Sequence, residues 1–267
     1  MENNKGVTGV SVEEYKKQLI KALDSDDIRV FTEDVSVMLG YTEDNRIHTG
    51  SLYRSHHLLI SGPAGCGKTS FINTAILSML RKYKKAEELG LVLIGKTDEL
   101  HLFDEIPQLV KPVTTSPAEA AEVLAKAVNL LRDRYHTFSE MKVNYLWEYN
   151  MHLDTLKRNG RDLQGMESMR PIVTIIDDLE HILTEEIETY IVRIAQLGSA
   201  AGIHLIITSL SDVITPLIDA NFKTRLGFVD TGKMLLHVRG HVGSHEIYTF
   251  LTGGELARQI LNEPDTW

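Results

Sequence analysis

The chain has 267 residues, 43% of them hydrophobic, which suffices for a sizeable core in one large α/β domain or a domain with small appendages. A net charge of −9 excludes a surface that attracts nucleic acid as a whole, leaving only local basic loops such as those lining a pore. One cysteine excludes an internal disulfide framework, no apolar run approaches the length of a membrane span, and the polar start Met1-Glu2-Asn3-Asn4-Lys5-Gly6 is no signal peptide; a cytoplasmic setting is expected.

Along the chain, Ser11-Val12-Glu13-Glu14 reads as a capping box, and Tyr15, Leu19, Ala22 and Leu23 share one face of the helix that follows. Segments 28–40 and 47–53 mix β-branched residues with turn signals such as Glu43-Asp44-Asn45 and predict short strands. His57-Leu58-Leu59-Ile60-Ser61 has the length and composition of a buried strand. After a glycine-rich stretch, apolar residues at Ile72, Ala75, Ile76, Met79 and Leu80 predict a helix, which ends in the charged segment Lys82 to Glu88. Leu91-Val92-Leu93-Ile94 is a second buried strand. Ser116-Pro117-Ala118-Glu119 opens a long helix whose buried face carries Leu124, Val128, Leu131 and Tyr135. Ile172-Val173-Thr174-Ile175-Ile176 is a third core strand, and a helix with Ile187, Ile191, Ile194 and Ala195 leads to a fourth, His204 to Thr208. Residues 224–229 and 233–239 add two more. Strands alternating with helices predict an α/β fold, with a mostly parallel central sheet, helices on both faces, and ligands at the carboxyl ends of the strands. The expected division is an N-terminal helix and lead-in over 1–35, the α/β domain over 36–240, and a C-terminal tail packing on the core over 241–267.

The glycine-rich stretch carries the chemistry. Gly62-Pro63-Ala64-Gly65-Cys66-Gly67-Lys68-Thr69 reads G-x-x-x-x-G-K-T between a strand and a helix, which is the structural context a phosphate-binding loop requires. Main-chain N–H groups from Gly62 to Ser70 and the helix N-terminus would cradle the phosphates of ATP. Lys68 would add a point charge, and the Thr69 hydroxyl a ligand for Mg²⁺. Cys66 sits where the backbone does the binding, so it reads as a tolerated small residue rather than a redox switch. Asp177, ending an apolar strand, is the expected partner that orients the Mg²⁺ shell. Asp178 is the candidate for positioning the attacking water, with Glu180 second.

Further landmarks fall in order around the loop. His57-Leu58-Leu59 precedes it, and Asn73, Ile76-Leu77-Ser78, Lys96-x-x-Glu99-Leu100, Ile106-Pro107, Arg134-Tyr135 and Tyr149-Asn150 follow. Ala200-Ala201-Gly202-Ile203-His204-Leu205, Leu217-Ile218-x-Ala220-Asn221 and Thr224-Arg225 complete the series. Over roughly residues 36–239 this pattern resembles the FtsK/SpoIIIE DNA-translocase motors of the FtsK–HerA group. The resemblance implies a RecA-like P-loop NTPase domain, normally a hexameric ring that moves double-stranded DNA at the expense of ATP, with Mg²⁺ as cofactor. It also implies a trans-acting arginine finger. Arg225 is the first candidate, before Arg193 and Arg239, with a surface salt bridge as the alternative role of each.

The chain departs from the family pattern at several points. Asp178 stands where the family has Glu; its side chain is one methylene shorter, and a water misplaced by about 1 Å can cost on the order of 10²-fold in rate. Ile94-Gly95 replaces Asp-Pro, Ser199 replaces Arg, Leu210 replaces a polar Gln, and the segment between Phe228 and Met234 is short. Neither a winged-helix module nor membrane segments are expected. A degenerate ATPase module of a type VII secretion-like machine, which binds ATP with little turnover and works with a membrane-associated partner, is the alternative to the motor. Lys157-Arg158-Asn159-Gly160-Arg161 is a basic loop suited either to a phosphate backbone or to solvent. His237, His241 and His245 recur every four residues, but Met234-Leu235-Leu236-His237-Val238 reads as strand rather than as the helix that metal ligation at that spacing needs. Trp147 and Tyr149 are expected to pack against the core.

Overall fold

The computed structural model describes residues 11–25, 35–95, 98–163 and 165–262. Of the strand expected at 28–40, only Val35 onward falls within that range, and Lys96 lies outside the described residues. The chain runs through α1 (Val12–Leu23), β1 (Ser36–Tyr41), β2 (Ile47–Ser51), a single turn α2 (Leu52–Ser55), β3 (Leu58–Ser61) and α3 (Lys68–Lys82). Then come β4 (Gly90–Ile94), α4 (Pro117–Met141), α5 (Leu146–Arg158), β5 (Ile172–Ile176), α6 (Glu185–Leu197) and β6 (Ile203–Ser209). The C-terminal part holds α7 (Pro216–Asn221), β7 (Thr224–Asp230), β8 (Lys233–Val238), β9 (His245–Tyr248) and α8 (Gly254–Leu261). The predicted caps form: the hydroxyls of Ser11 and Ser116 accept from the N–H groups of Glu14 and Glu119, each at 3.3 Å, and Pro117 opens α4.

The strands form one sheet in the order β2-β1-β9-β8-β7-β3-β6-β5-β4. The five strands from β7 to β4 are parallel, with β3 flanked by β6 and β7 and crossovers through helices. The remaining strands pair antiparallel and extend the sheet as a wing. The expected parallel arrangement thus holds for the central block. The wing differs because its turns, such as Thr231-Gly232 between β7 and β8, are too short for the crossover that a parallel pair needs.

Alternation along each central strand sorts side chains onto two faces. Leu58 and Ile60, Leu91 and Leu93, and Val173 and Ile175 pack with α1, α3 and α8. Leu59, Val92, Ile94, Ile203, Leu205 and Ile207 pack with α4 to α7. Both faces are covered, so these strands read as continuous apolar runs. Tyr149 is buried in the second layer and Trp147 is half-buried, stacked on Tyr145 with ring centroids 6.2 Å apart. Among the described residues, no helix is long and apolar enough to cross a membrane.

Several sequence landmarks prove to be ties within this scaffold. Gly202 has φ +67, and a Cβ there would lie 2.2 Å from Leu146 Cδ2, so only glycine fits the turn into β6. Buried Arg134 donates to the carbonyl of Arg170 at 2.6 Å and to that of Ala201, binding the starts of β5 and β6 together; burial lowers its pKa to about 10. His204 Nδ1 pairs with the His56 carbonyl at 2.9 Å, and His57 Nδ1 accepts from the Leu205 N–H at 3.0 Å. Asn150 exchanges two 2.9 Å bonds with the main chain of Met169.

Candidate functional site

The residues that carry the expected chemistry meet at the carboxyl ends of β3, β5 and β6. The loop leaves β3 after Ser61, and Gly62 N–H donates to the Ser209 carbonyl at 3.3 Å, fastening the loop to β6. A Cβ on Gly62 would sit 2.6 Å from Phe228 Cβ and 2.8 Å from Cys66 Sγ, so close packing requires glycine there. Gly65 and Gly67 have φ +76 and +113, and Gly65 meets nothing within 4 Å of a Cβ position. These left-handed residues turn the loop into an open concavity, with Pro63, Ala64 and Gly65 exposed around it. Gly67 begins α3 without a side-chain cap, so the first-turn N–H groups of Lys68, Thr69 and Ser70 have no carbonyl of their own helix to bond. An oxyanion is their natural complement.

Lys68 is only 6% exposed and its ammonium donates to the carbonyls of Gly62 and Pro63, both at 3.2 Å, while lying 3.8 Å from Asp178 Oδ1. It therefore spans the concavity and points into it. Thr69 Oγ1 donates to Asp177 Oδ2 at 3.0 Å across the gap between α3 and β5. Asp177 is fully buried, and its other oxygen, Oδ1, accepts from Thr208 Oγ1 at 2.7 Å. The same Thr208 oxygen accepts from the Asp178 N–H at 2.8 Å, so one hydroxyl on β6 holds both successive carboxylate residues.

Asp178 is a non-glycine residue at φ +59, a conformation that costs on the order of 1 kcal/mol and that Asp tolerates better than most. Burial raises its pKa, the Glu180 charge raises it further, and Lys68 and His181 oppose the shift. Glu180 Oε2 accepts from Ser209 Oγ and from the Leu210 N–H, both at 3.3 Å, so this carboxylate braces the end of β6. Cys66 is 4% exposed, and its thiol pKa is raised chiefly by burial, which suits the role of a small packing residue.

Two hard oxygen donors, the Thr69 hydroxyl and the Asp177 carboxylate, face each other beside a pocket of N–H donors and one ammonium. That donor set fits a small oxygen-preferring cation together with a polyphosphate. Among the described residues, no group of three or more His, Cys, Asp or Glu could hold a metal ion by itself, so such a cation would take most of its shell from phosphate oxygens and water.

Other expected residues lie elsewhere. Arg225 sits on β7 level with Leu59, before the loop begins, and makes a 2.9 Å ion pair with Asp219 while donating to that residue's carbonyl. Arg239 reaches the same corner, donating to the Ala220 carbonyl at 2.6 Å. Arg193 is exposed on α6. The basic run Lys157 to Arg161 is exposed at the end of α5, on the rim of a groove of about 890 Å³ at the starts of β5 and β6, the end of the sheet away from the loop. His237 lies on β8 and His245 on β9, in strands as their neighbours imply. The roles of Thr208 and of Glu180 as braces were not legible in the sequence; the available signal was a polar Thr208-Ser209 pair closing an otherwise apolar strand.

Residues 18–213 match the sequence model of the FtsK/SpoIIIE family. The DNA translocase FtsK of Clostridium tetani (strain Massachusetts / E88) is 34% identical over 234 residues, covering 84% of this chain and 31% of that relative. The chain thus spans less than a third of the length of the curated relatives that it matches. Among solved structures, EssC (ATPases 2 and 3) from Geobacillus thermodenitrificans superposes with a TM-score of 0.66 at 17% identity, covering 85% of this chain and 49% of that one. The pCW3 conjugation coupling protein TcpA, in its monomer form with ATPgS, gives a TM-score of 0.64 at 17% identity, covering 89% and 73% of the two chains. Both structures speak for a shared P-loop ATPase fold.

Proposed function

The chain belongs to the FtsK/SpoIIIE family, and from that premise we propose that it is the ATPase motor of a ring, a hexamer, that moves double-stranded DNA in the cytoplasm. The single observation that supports the reading best is the 3.0 Å contact between Thr69 and Asp177 at the mouth of the loop, which joins the two halves of a Mg·ATP site. The loop amides and Lys68 would bind and neutralise the triphosphate, and Thr69 and Asp177 are the residues that would hold Mg²⁺. The chemistry supplied there would be Lewis-acid stabilisation of the phosphoryl oxygens. Asp178 orients the attacking water. A finger supplied in trans must be free to leave its own chain. Arg193, exposed on α6, meets that condition, whereas Arg225 meets it only by giving up Asp219.

A second reading, an ATP-binding module with little turnover in a secretion-like machine with a membrane-associated partner, is favoured by one observation: Asp178, rather than Glu, follows Asp177. The ATPase rate with and without double-stranded DNA separates the two. Several-fold stimulation is the expected result, and ATP binding without any response to DNA would replace the motor with the second reading.

A further inference from the structure

The two flanks of the phosphate loop differ in chemistry. Toward β5 and β6 stand Asp177, Asp178 and Glu180, which suit a metal and the terminal phosphate. Toward β7 and β8 the loop is bordered by two apolar side chains, Phe228, which is buried, and Leu251, which is not fully covered. A Cβ placed on Gly67 would lie 3.2 Å from Leu251 Cδ2, and one on Gly232 would lie 3.4 Å from the same atom. Leu251 is half-buried, and the next residue but one, Gly253, is exposed and meets nothing within 4 Å of a Cβ position.

This flank is held rigidly. Gly232 N–H donates to the Cys66 carbonyl at 3.0 Å, and Thr249 N–H to the Gly232 carbonyl at 2.8 Å, linking loop, turn and C-terminal segment by main-chain bonds. Leu251 N–H donates to the Tyr15 hydroxyl at 2.6 Å, bringing α1 into the support. Thr252 is pinned to α3 from below: its hydroxyl lies 2.7 Å from Thr74 Oγ1, and its carbonyl accepts from Asn73 Nδ2 at 2.9 Å.

We propose that Leu251, propped by Tyr15 and Gly232, is the shelf on which the nucleobase of the bound triphosphate rests. The inference rests on the nucleotide reading of the loop. A purine ring is flat, uncharged and poorly hydrated on its faces, and it gains by covering an apolar side chain fixed in place beforehand. The other flank carries Asp177, Asp178 and Glu180, whose charges suit a metal and phosphate better than an uncharged ring. The distal parts of the chain thereby acquire a role: 249–254, far from the loop in sequence, sets how strongly a nucleoside is held beyond its phosphates.

The test is calorimetric binding to the full chain, comparing Mg·ATP with magnesium tripolyphosphate, which has the phosphates and no base. Wild type is expected to bind ATP more tightly than tripolyphosphate by about tenfold or more. Leu251→Ser is expected to remove most of that advantage while leaving tripolyphosphate within about twofold, and Leu251→Met to keep it. Three results overturn the shelf: equal wild-type affinities for the two ligands, Leu251→Ser binding ATP as wild type does, or Leu251→Ser losing both ligands alike, which would make Leu251 a prop for the loop. The first of these leaves the phosphate cradle standing. If wild type binds neither ligand, the nucleotide reading falls and the shelf with it.

Discussion

Replacing Thr208 with valine removes one oxygen atom and almost no volume, which makes it a sharp probe of how the site is held. Thr208 is fully buried, donates to Asp177 Oδ1 at 2.7 Å and accepts from the Asp178 N–H at 2.8 Å. A hydrogen bond to a charged group contributes about 1.5–3 kcal/mol net, and a neutral one about 0.5–1.5 kcal/mol. Valine leaves no cavity and suits a strand, so these bonds dominate, and the variant should lose about 2–4 kcal/mol of stability. With a urea m-value near 3 kcal/mol/M, the midpoint should fall by about 1 M. Thr208→Ser keeps both bonds, gives up one buried methyl, and should fall by only about 1 kcal/mol. Mg·ATP affinity of Thr208→Val, measured below its unfolding transition, should drop, because Asp177 Oδ1 and the Asp178 N–H then lose their anchor on β6. A Val variant that unfolds at the wild-type midpoint would refute the reasoning that this hydroxyl organises the metal side of the site.

Other perturbations have equally definite outcomes. Lys68→Ala removes the ammonium that spans the loop and should weaken ATP binding by about two orders of magnitude in calorimetry, while circular dichroism stays that of the native fold; retained affinity would mean that the main-chain amides suffice. Asp178→Glu restores the missing methylene and should raise steady-state phosphate release by about tenfold, whereas an unchanged rate would show that water placement is not what limits turnover. Burial pushes the His204 pKa down to about 4 from an ordinary 6.5. The unfolded chain therefore takes up this proton before the folded one does. The contribution to stability is whole above about pH 6.5 and is lost as the pH falls toward about 4, at about 3 kcal/mol in all. His204→Asn should flatten the acid limb of a denaturation series measured across that range, and an unaltered limb would count against burial as the cause.

Local chemistry explains what could be read before the fold was known. A strand, a loop with G-x-x-x-x-G-K-T spacing and a helix lie within about two dozen consecutive residues, and glycine freedom, helix-terminal amides and apolar periodicity are all short-range properties. That is why Gly62 to Ser70, the parallel strands and Asp177 were legible. The strand β9 and helix α8 at the C-terminus were read only as a tail, because β9 is four residues long and pairs with β8 and β1 rather than with a helix-linked neighbour. Arg225 carries the right chemistry for a finger, yet sequence cannot show that Asp219 claims its guanidinium.

Only the tertiary structure brings Thr208 on β6 against Asp177 and Asp178 just past β5, closes Glu180 onto the end of β6, and lays Leu251 beside a loop more than 180 residues earlier in the chain. Sequence alone determined what the loop is made of and which phosphate chemistry those atoms permit, since that follows from neighbouring residues. Which groups stand around it was decided by strand order and register, because a sheet brings together residues whose separation along the chain carries no local signal.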